Sequence, residues 1–287
     1  NMKTLKYLIE FLLIIILFFI FKILGLKLAS NFGALIGLIF VPLFRSKKKT
    51  SVNIKKALPK INEKDLEEIL KNMWKNYGRI LSEYVFIKNF RSSRFDKFFH
   101  IEGQEILNQI KKKKEPVIFI SGHFNNFELM AMQIEKSGVK LAAIYRPLNN
   151  IFLNKIMEQI RKKHICKKQI KKGRTGTREL LEALKENYSI ALMIDQRVSE
   201  GIKSDLFGDS ALTTTIPAQL VKKFGCKIVP VHIERLENFY FKIKFSKPIT
   251  YNKNTTIDEI TLDLNKCLEK MILSNPNQWI WTHDRWK

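Results

Sequence analysis

His123 and Glu128 are the residues of this chain best equipped for chemistry. They lie in Ser-Gly-His-Phe-Asn-Asn-Phe-Glu, Ser121 to Glu128, after the apolar run Val117 to Ile120 and before Leu129 to Ser137. The run reads as a buried strand and the segment that follows reads as a helix, so His123 falls on a strand-to-helix turn. Turns at strand ends are where α/β enzymes present reactive groups from a rigid scaffold. A spacing of five sets two side chains apart around a regular helix. The pair therefore meets only if His123 stays on the turn while Glu128 enters the helix. A neutral imidazole can take a proton from a hydroxyl near neutral pH. A carboxylate on its other nitrogen would fix the tautomer and stabilise the imidazolium. No G-x-S-x-G elbow occurs, and no Cys lies near His123 in sequence. The base would then activate a hydroxyl of the substrate itself, without a covalent enzyme intermediate. A purely structural reading stands beside this one. Asn125 to Glu128 also fits an N-cap residue followed by a capping-box Glu, and a His near a strand end can be an ordinary hydrogen-bonded interior residue.

The elements that must position these groups follow from periodicity. Asn62 with Asp65 signals a helix start, and Leu66, Leu70, Met73, Trp74, Tyr77, Ile80 and Leu81 form an apolar stripe, predicting a helix over Asn62 to Phe86. Strands are predicted at Val117 to Ile120, Lys140 to Tyr145, Ser189 to Ile194, Lys227 to Ile233 and Phe239 to Phe245. Helices are predicted at Asn150 to His164, Thr177 to Glu186, Pro217 to Phe224 with Gly225 as its stop, and Ile257 to Leu273. This alternation argues an α/β fold, a mixed and largely parallel sheet flanked by helices. Three strands end at His123, Arg146 and Asp195-Gln196, and the C-terminal ends of such strands share one edge. Arg146 could then meet an oxyanion or hold an anionic group, with Asp195 orienting it or another donor. The plain alternatives are a surface Arg before a Pro turn and a turn Asp.

The formal net charge is +24, which points to a polyanionic partner: nucleic acid, an anionic membrane, a phosphorylated substrate or an acidic carrier protein. From Arg161 to Arg178 there are nine Lys or Arg residues and no acid. Lys167, Lys168, Lys171, Lys172 and Arg174 within it are candidates for holding an anion. The run contains no aromatic residue, and single-stranded nucleic acid needs aromatic stacking platforms, so phosphate or carboxylate fits better than nucleic acid. Cys166, Cys226 and Cys267 are widely spaced and show neither metal-ligand nor disulfide spacing. No HExxH occurs either, so no metal site is expected.

Near the N-terminus, Leu8 to Leu24 is apolar except for Glu10 and Lys22, a stretch of about 17 positions at the lower limit of a spanning helix. A second apolar stretch, Phe32 to Phe44, carries Gly33 and Gly37 four apart, which permits close helix contact. Arg45-Ser46-Lys47-Lys48-Lys49 follows and should lie on the cytoplasmic side. A cleaved secretory leader ending near Leu28-Ala29-Ser30 is the competing reading; the basic chain and its reduced cysteines favour the anchor. Residues 1–50 thus read as a membrane anchor with an adjoining amphipathic segment, and 51–287 as the catalytic domain. Three of the four tryptophans stand in Pro276 to Trp286, where the alternation of Trp279, Trp281 and His283 suits an extended segment with one face packed in the core. An aromatic belt beside the membrane is the alternative.

Taken in order, these blocks resemble the late acyltransferases of lipid A biosynthesis, the lauroyl- and myristoyl-type enzymes. The blocks are Gly-His-Phe-Asn-Asn-Phe-Glu with His123 and Glu128, Tyr145-Arg146-Pro147-Leu148, and Asp195-Gln196. Leu206-Phe207-Gly208 with Thr213 to Thr215, and Pro276 with Trp279, Trp281, His283, Arg285 and Trp286, complete the set. The sequence departs from the family pattern at Leu206, where Phe is common, and at Arg197, where a small or acidic residue is more usual. Arg197 could pair with Asp195. The resemblance implies a single-pass protein of the bacterial inner membrane with its catalytic domain in the cytoplasm. It implies transfer of a fatty acyl group from acyl carrier protein to a hydroxyl of an anionic lipid A precursor, of the Kdo-lipid IVA type, with no metal or other cofactor. In that scheme His123 is the base, Glu128 orients it, and Arg146, Asp195, Gln196 and the basic run serve the substrates. Another acceptor, a lysophospholipid or a different glycolipid, would suit the same dyad. A non-catalytic, membrane-tethered polyanion-binding protein would need only the charge and the anchor.

Overall fold

The computed structural model describes residues 2–287, with the side chain of Arg174 outside the description. Both N-terminal apolar stretches belong to one helix, α1 (Met2–Phe44), interrupted at Gly25, where φ is +73° and ψ is 164°. That backbone region is essentially open only to Gly. The ring centroids of Phe21 and Phe32 lie 6.2 Å apart across it. Eleven residues of straight helix rise about 16 Å, so the two halves bend sharply at Gly25. Among the described residues, α1 is the one helix long and apolar enough to cross a membrane. Its second half buries Ala29, Ser30, Gly33, Ala34 and Gly37. These lie against α3 (Glu63–Glu83), reached through the Ser46-capped α2 (Lys47–Ala57). The predicted small-residue spacing works here: Gly33 and Gly37 close on Gly78 of α3 so tightly that a Cβ on Gly78 would fall onto the Gly33 carbonyl.

The predicted helix start holds, since the Asn62 side chain accepts from the Asp65 N–H. After α4 (Ile87–Arg91) the chain alternates as expected. It runs β1 (Phe99–Glu102), α5 (Gln104–Lys113), β2 (Ile118–Ser121), α6 (Glu128–Lys136) and β3 (Leu141–Tyr145). It continues through α7 (Ile151–Ile160), β4 (Lys168–Lys171), α8 (Arg174–Lys185) and β5 (Ser189–Met193). A separate hairpin, β6 (Ile202–Leu206) and β7 (Asp209–Thr213), precedes α9 (Ile216–Phe224), β8 (Ile228–Glu237), β9 (Tyr240–Phe245) and α10 (Ile257–Ser274).

Seven strands form one sheet in the order β1-β9-β8-β2-β5-β3-β4. Every neighbouring pair is parallel except β8 with β9. The fold is the mixed, largely parallel sheet flanked by helices that the alternation predicts. Strand β2 is buried along its whole length, as a central parallel strand covered on both faces must be.

The basic run behaves differently from one continuous surface. α7 ends earlier than predicted, in a π-turn over Arg161–Ile165. The run then supplies the edge strand β4, whose lysines suit an edge that must not pair further. Charge density hid this strand, as weak hydrophobic patterning hid β1, α5 and the β6–β7 hairpin.

Candidate active site

Strands β2 and β5 are parallel neighbours in register, Ser121 opposite Met193. The Ile194 N–H continues the ladder by donating to the Ser121 carbonyl at 2.9 Å. The residues two steps past each strand end are therefore adjacent, and they are His123 and Asp195. His123 Nδ1 lies 2.7 Å from Asp195 Oδ1. The His123 backbone N–H donates to Oδ2 at 2.7 Å, and Trp279 Nε1 donates to Oδ2 at 2.9 Å. Asp195 is almost completely buried. This corrects the expectation that Glu128 sits on the imidazole: the carboxylate on Nδ1 is Asp195, 72 residues away. It also corrects the expected partner of Arg197, whose side-chain Nε donates to the Lys287 carbonyl at 2.9 Å while its backbone N–H goes to His283 Nε2 at 2.9 Å, leaving Asp195 to His123.

Burial pushes the His123 imidazole toward neutrality, but the charge and hydrogen bond of Asp195, aided by the charge of Glu128, raise its pKa above the ordinary 6.5. Burial disfavours the Asp195 carboxylate, yet the charge of His123 and the hydrogen bonds around it hold its pKa below the usual value. With Nδ1–H given to Asp195, Nε2 is left as the proton acceptor.

Glu128 opens α6 as expected, but no side chain caps that helix. The capping-box reading fails together with the direct dyad, for one reason. Arg161, from the π-turn, binds Glu128 Oε1 through Nε at 3.0 Å and Nη2 at 2.5 Å. Tyr84 Oη donates to Oε2 at 3.3 Å. Burial and the Glu128 charge raise the Tyr84 pKa, which keeps it a donor. Arg161 Nη1 is buried and has no partner among the described residues.

His123, Glu128 and Arg161 line one cavity of about 690 Å³. Its inner wall is apolar: Phe119, Ala143, Ala191, Met193 and Val231 from the sheet, Met130 and Ile134 from α6. Arg45, Arg146, Leu148, Asn149, Lys172 and Gln196 also line it, and Arg45, Arg146 and Lys172 are exposed, so they mark its open side. The structure thus brings Arg146, Lys172 and Gln196 to the same cavity as His123. It pairs Lys168 with Glu186 at 2.7 Å and Lys171 with Glu158 at 3.4 Å. Lys167 is exposed, with its backbone N–H on Glu135. Arg174 lies outside the described side chains. Sequence reasoning missed Tyr84 and Arg45 as site residues, counted Arg161 only as one member of the basic run, and missed Trp279 as the group that steadies Asp195. Among the described residues no group of three His, Cys, Asp or Glu is placed to hold a metal.

A mixed, largely parallel sheet that sets a His–Asp couple beside a cavity with an apolar inner wall is an arrangement able to move a proton next to an apolar ligand. Comparison with known proteins makes this particular: the chain belongs to the bacterial lipid A biosynthesis acyltransferase family, whose model matches residues 1–287. It is similar to the lipid A biosynthesis palmitoleoyltransferase of Escherichia coli strain K12, 23% identical over 262 residues, 89% of this chain and 83% of that protein. It is also similar to the lauroyltransferase of the same organism, 21% identical over 243 residues, 82% of this chain and 77% of the relative. The myristoyltransferase is 20% identical over 241 residues, 82% and 73% respectively. The protein is an acyltransferase, which sets aside the non-catalytic reading.

Proposed function

We propose that this acyltransferase moves a fatty acyl group from acyl carrier protein to a hydroxyl of a lipid A precursor of the Kdo-lipid IVA type. It acts at the bacterial inner membrane, held there by α1 as a single membrane segment, with the sheet domain in the cytoplasm. The observation that carries the reading is the His123–Asp195 couple, with His123 lining a cavity whose inner wall is apolar. The cavity takes the acyl chain. His123 Nε2 accepts the proton of the acceptor hydroxyl as its oxygen attacks the thioester carbonyl. Arg161, which lines the cavity and is paired with Glu128, supplies a donor to the oxyanion that forms. The intermediate collapses, the C–S bond breaks, and His123 returns the proton to the departing thiolate. Arg45, Arg146 and Lys172 hold the acceptor's anionic groups.

Contacts between α1 and the start of α7 support a lipid acceptor. Asn150 Nδ2 donates to the Tyr7 carbonyl at 2.8 Å, and the Phe11 and Phe152 rings lie 5.8 Å apart. These contacts put the cavity mouth beside the membrane helix. The relatives' names support the acceptor class. The test is purified full-length protein with acyl carrier protein thioesters and a panel of acceptors with and without sugar phosphates. Transfer to the phosphorylated lipid A precursor is expected; preference for a lysophospholipid or an unphosphorylated glycolipid would replace that acceptor. His123→Ala should lose about 10²–10⁴-fold in turnover while staying folded and membrane-bound. Wild-type turnover by that variant would remove the base.

A further inference from the structure

Glu83, the last residue of α3, has no exposed surface. Its carboxylate accepts from four donors. Arg235 gives Nη1 to Oε1 at 2.7 Å and Nη2 to Oε2 at 2.9 Å. Ser30 Oγ donates to Oε1 at 2.8 Å, and Asn126 Nδ2 donates to Oε2 at 3.1 Å. Four donors fill the four acceptor sites of a carboxylate. They come from three places: β8, the second half of α1, and the turn that joins His123 to Glu128.

The contact with the turn belongs to a closed circuit. Asn126 gives its N–H to Asn125 Oδ1 at 2.8 Å. Asn125, at a φ of +43° that Asn tolerates, gives its N–H to the Gln278 carbonyl at 2.9 Å and its Nδ2 to Gln278 Oε1 at 2.7 Å. Gln278 in turn holds both backbone groups of Arg235, at 2.7 and 2.8 Å. The circuit thus returns to the guanidinium on Glu83. Residue 279, next in the chain, is the Trp that bonds Asp195. On the α1 side there is little slack. Gly33 and Gly37 press on Gly78, and Arg79 Nη1 donates to Ser30 Oγ at 2.8 Å.

A buried ion pair is a weak source of stability compared with apolar packing, because desolvation offsets the attraction. Its use here is geometric. We propose that Glu83 is a positioning residue for acyl transfer: it ties the His123–Glu128 turn to the membrane-seated helix, so that the base is aligned only while α1 is docked on α3. This rests on the reading of His123 as the base.

The test uses full-length protein in phospholipid nanodiscs. Amide hydrogen exchange of residues 122–128 and steady-state kinetics are measured on the same samples. Ser30→Ala removes one donor and keeps the ion pair, so it folds even if Glu83→Gln does not. It should speed exchange in the turn and lower kcat about 10-fold with both KM values nearly unchanged; Glu83→Gln should lower kcat about 10²-fold, the scale of an ångström's misplacement. Unchanged turn exchange with wild-type kcat in Ser30→Ala overturns the tie. So does an effect confined to KM, or a Glu83→Gln loss that merely follows the folded fraction. Wild-type turnover by His123→Ala would instead overturn the base assignment, and the exchange comparison would still decide the tie.

Discussion

In the proposed mechanism, with Nδ1 of His123 bonded to Asp195, the working atom is Nε2, and its basicity is set by opposed influences. Burial lowers the pKa and Asp195 raises it, the net being upward from 6.5. Catalysis needs the neutral ring, so kcat/KM should fall as pH drops through that raised pKa, placing the acid limb above 6.5. In Asp195→Asn the lowering by burial remains and the main opposing charge is gone. The acid limb should then move to lower pH, while the plateau falls by about 10²–10⁴-fold because the tautomer is no longer held. A limb that stays in place in a pH–rate profile of the purified variant would contradict this. Glu128 acts at the same scale through another residue. Removing its charge leaves Arg161 largely buried without its counter-ion, a loss on the order of 3 kcal/mol. Glu128→Gln should therefore lower both the thermal midpoint and kcat, with the acid limb displaced far less than in Asp195→Asn. Initial rates and melting curves on the same samples separate the two carboxylates.

At the scale of elements, the basic run divides between an edge strand and the site. Lys168 is engaged by Glu186 and the Tyr188 ring, and Lys171 by Glu158. Lys172, one residue beyond β4, lines the cavity with Arg146. Arg146→Gln with Lys172→Gln should raise KM for a phosphorylated acceptor several-fold, on the order of 1 kcal/mol for each charge-assisted hydrogen bond removed. Lys168→Gln with Lys171→Gln should leave that KM near wild type. Equal effects from the two pairs, measured with acceptor as the varied substrate, would return the whole run to one diffuse surface.

Across the whole molecule the excess of +24 acts at long range. It concentrates acidic partners and anionic lipid near the protein and is screened by salt over about 10 Å at 0.1 M. For a soluble acidic carrier as acyl donor, KM should rise with ionic strength while kcat stays nearly flat. A KM for the carrier-borne donor that is unmoved between low and high salt would deny the charge that role. The membrane anchor also belongs to this scale. α1 is bent at Gly25 and half docked on α3, so in the proposed placement one helix would both meet the bilayer and form part of the catalytic body.

Much of this protein was legible in its sequence, because the signals are local. A stripe at Leu66, Leu70 and Met73, the Asn62 cap, the apolar run before Gly122 and the stop at Gly225 each act within a few residues, and each lies where patterning puts it. The turn that carries His123, and the shared edge where Arg146 and Asp195-Gln196 end, followed from strand alternation alone. The partners of those groups did not. Whether His123 meets Glu128 or Asp195 depends on β5 lying beside β2, a pairing set by crossover connections and layer packing that no local period encodes. Glu128 was five residues from the imidazole in sequence, but a π-turn that the basic run concealed brought Arg161 to it first. The Glu83 node is farther from local reading still: its four donors stand 43 to 152 residues away from it. They converge because a buried carboxylate must find all its partners inside the fold, and only the packed tertiary structure decides which partners those are.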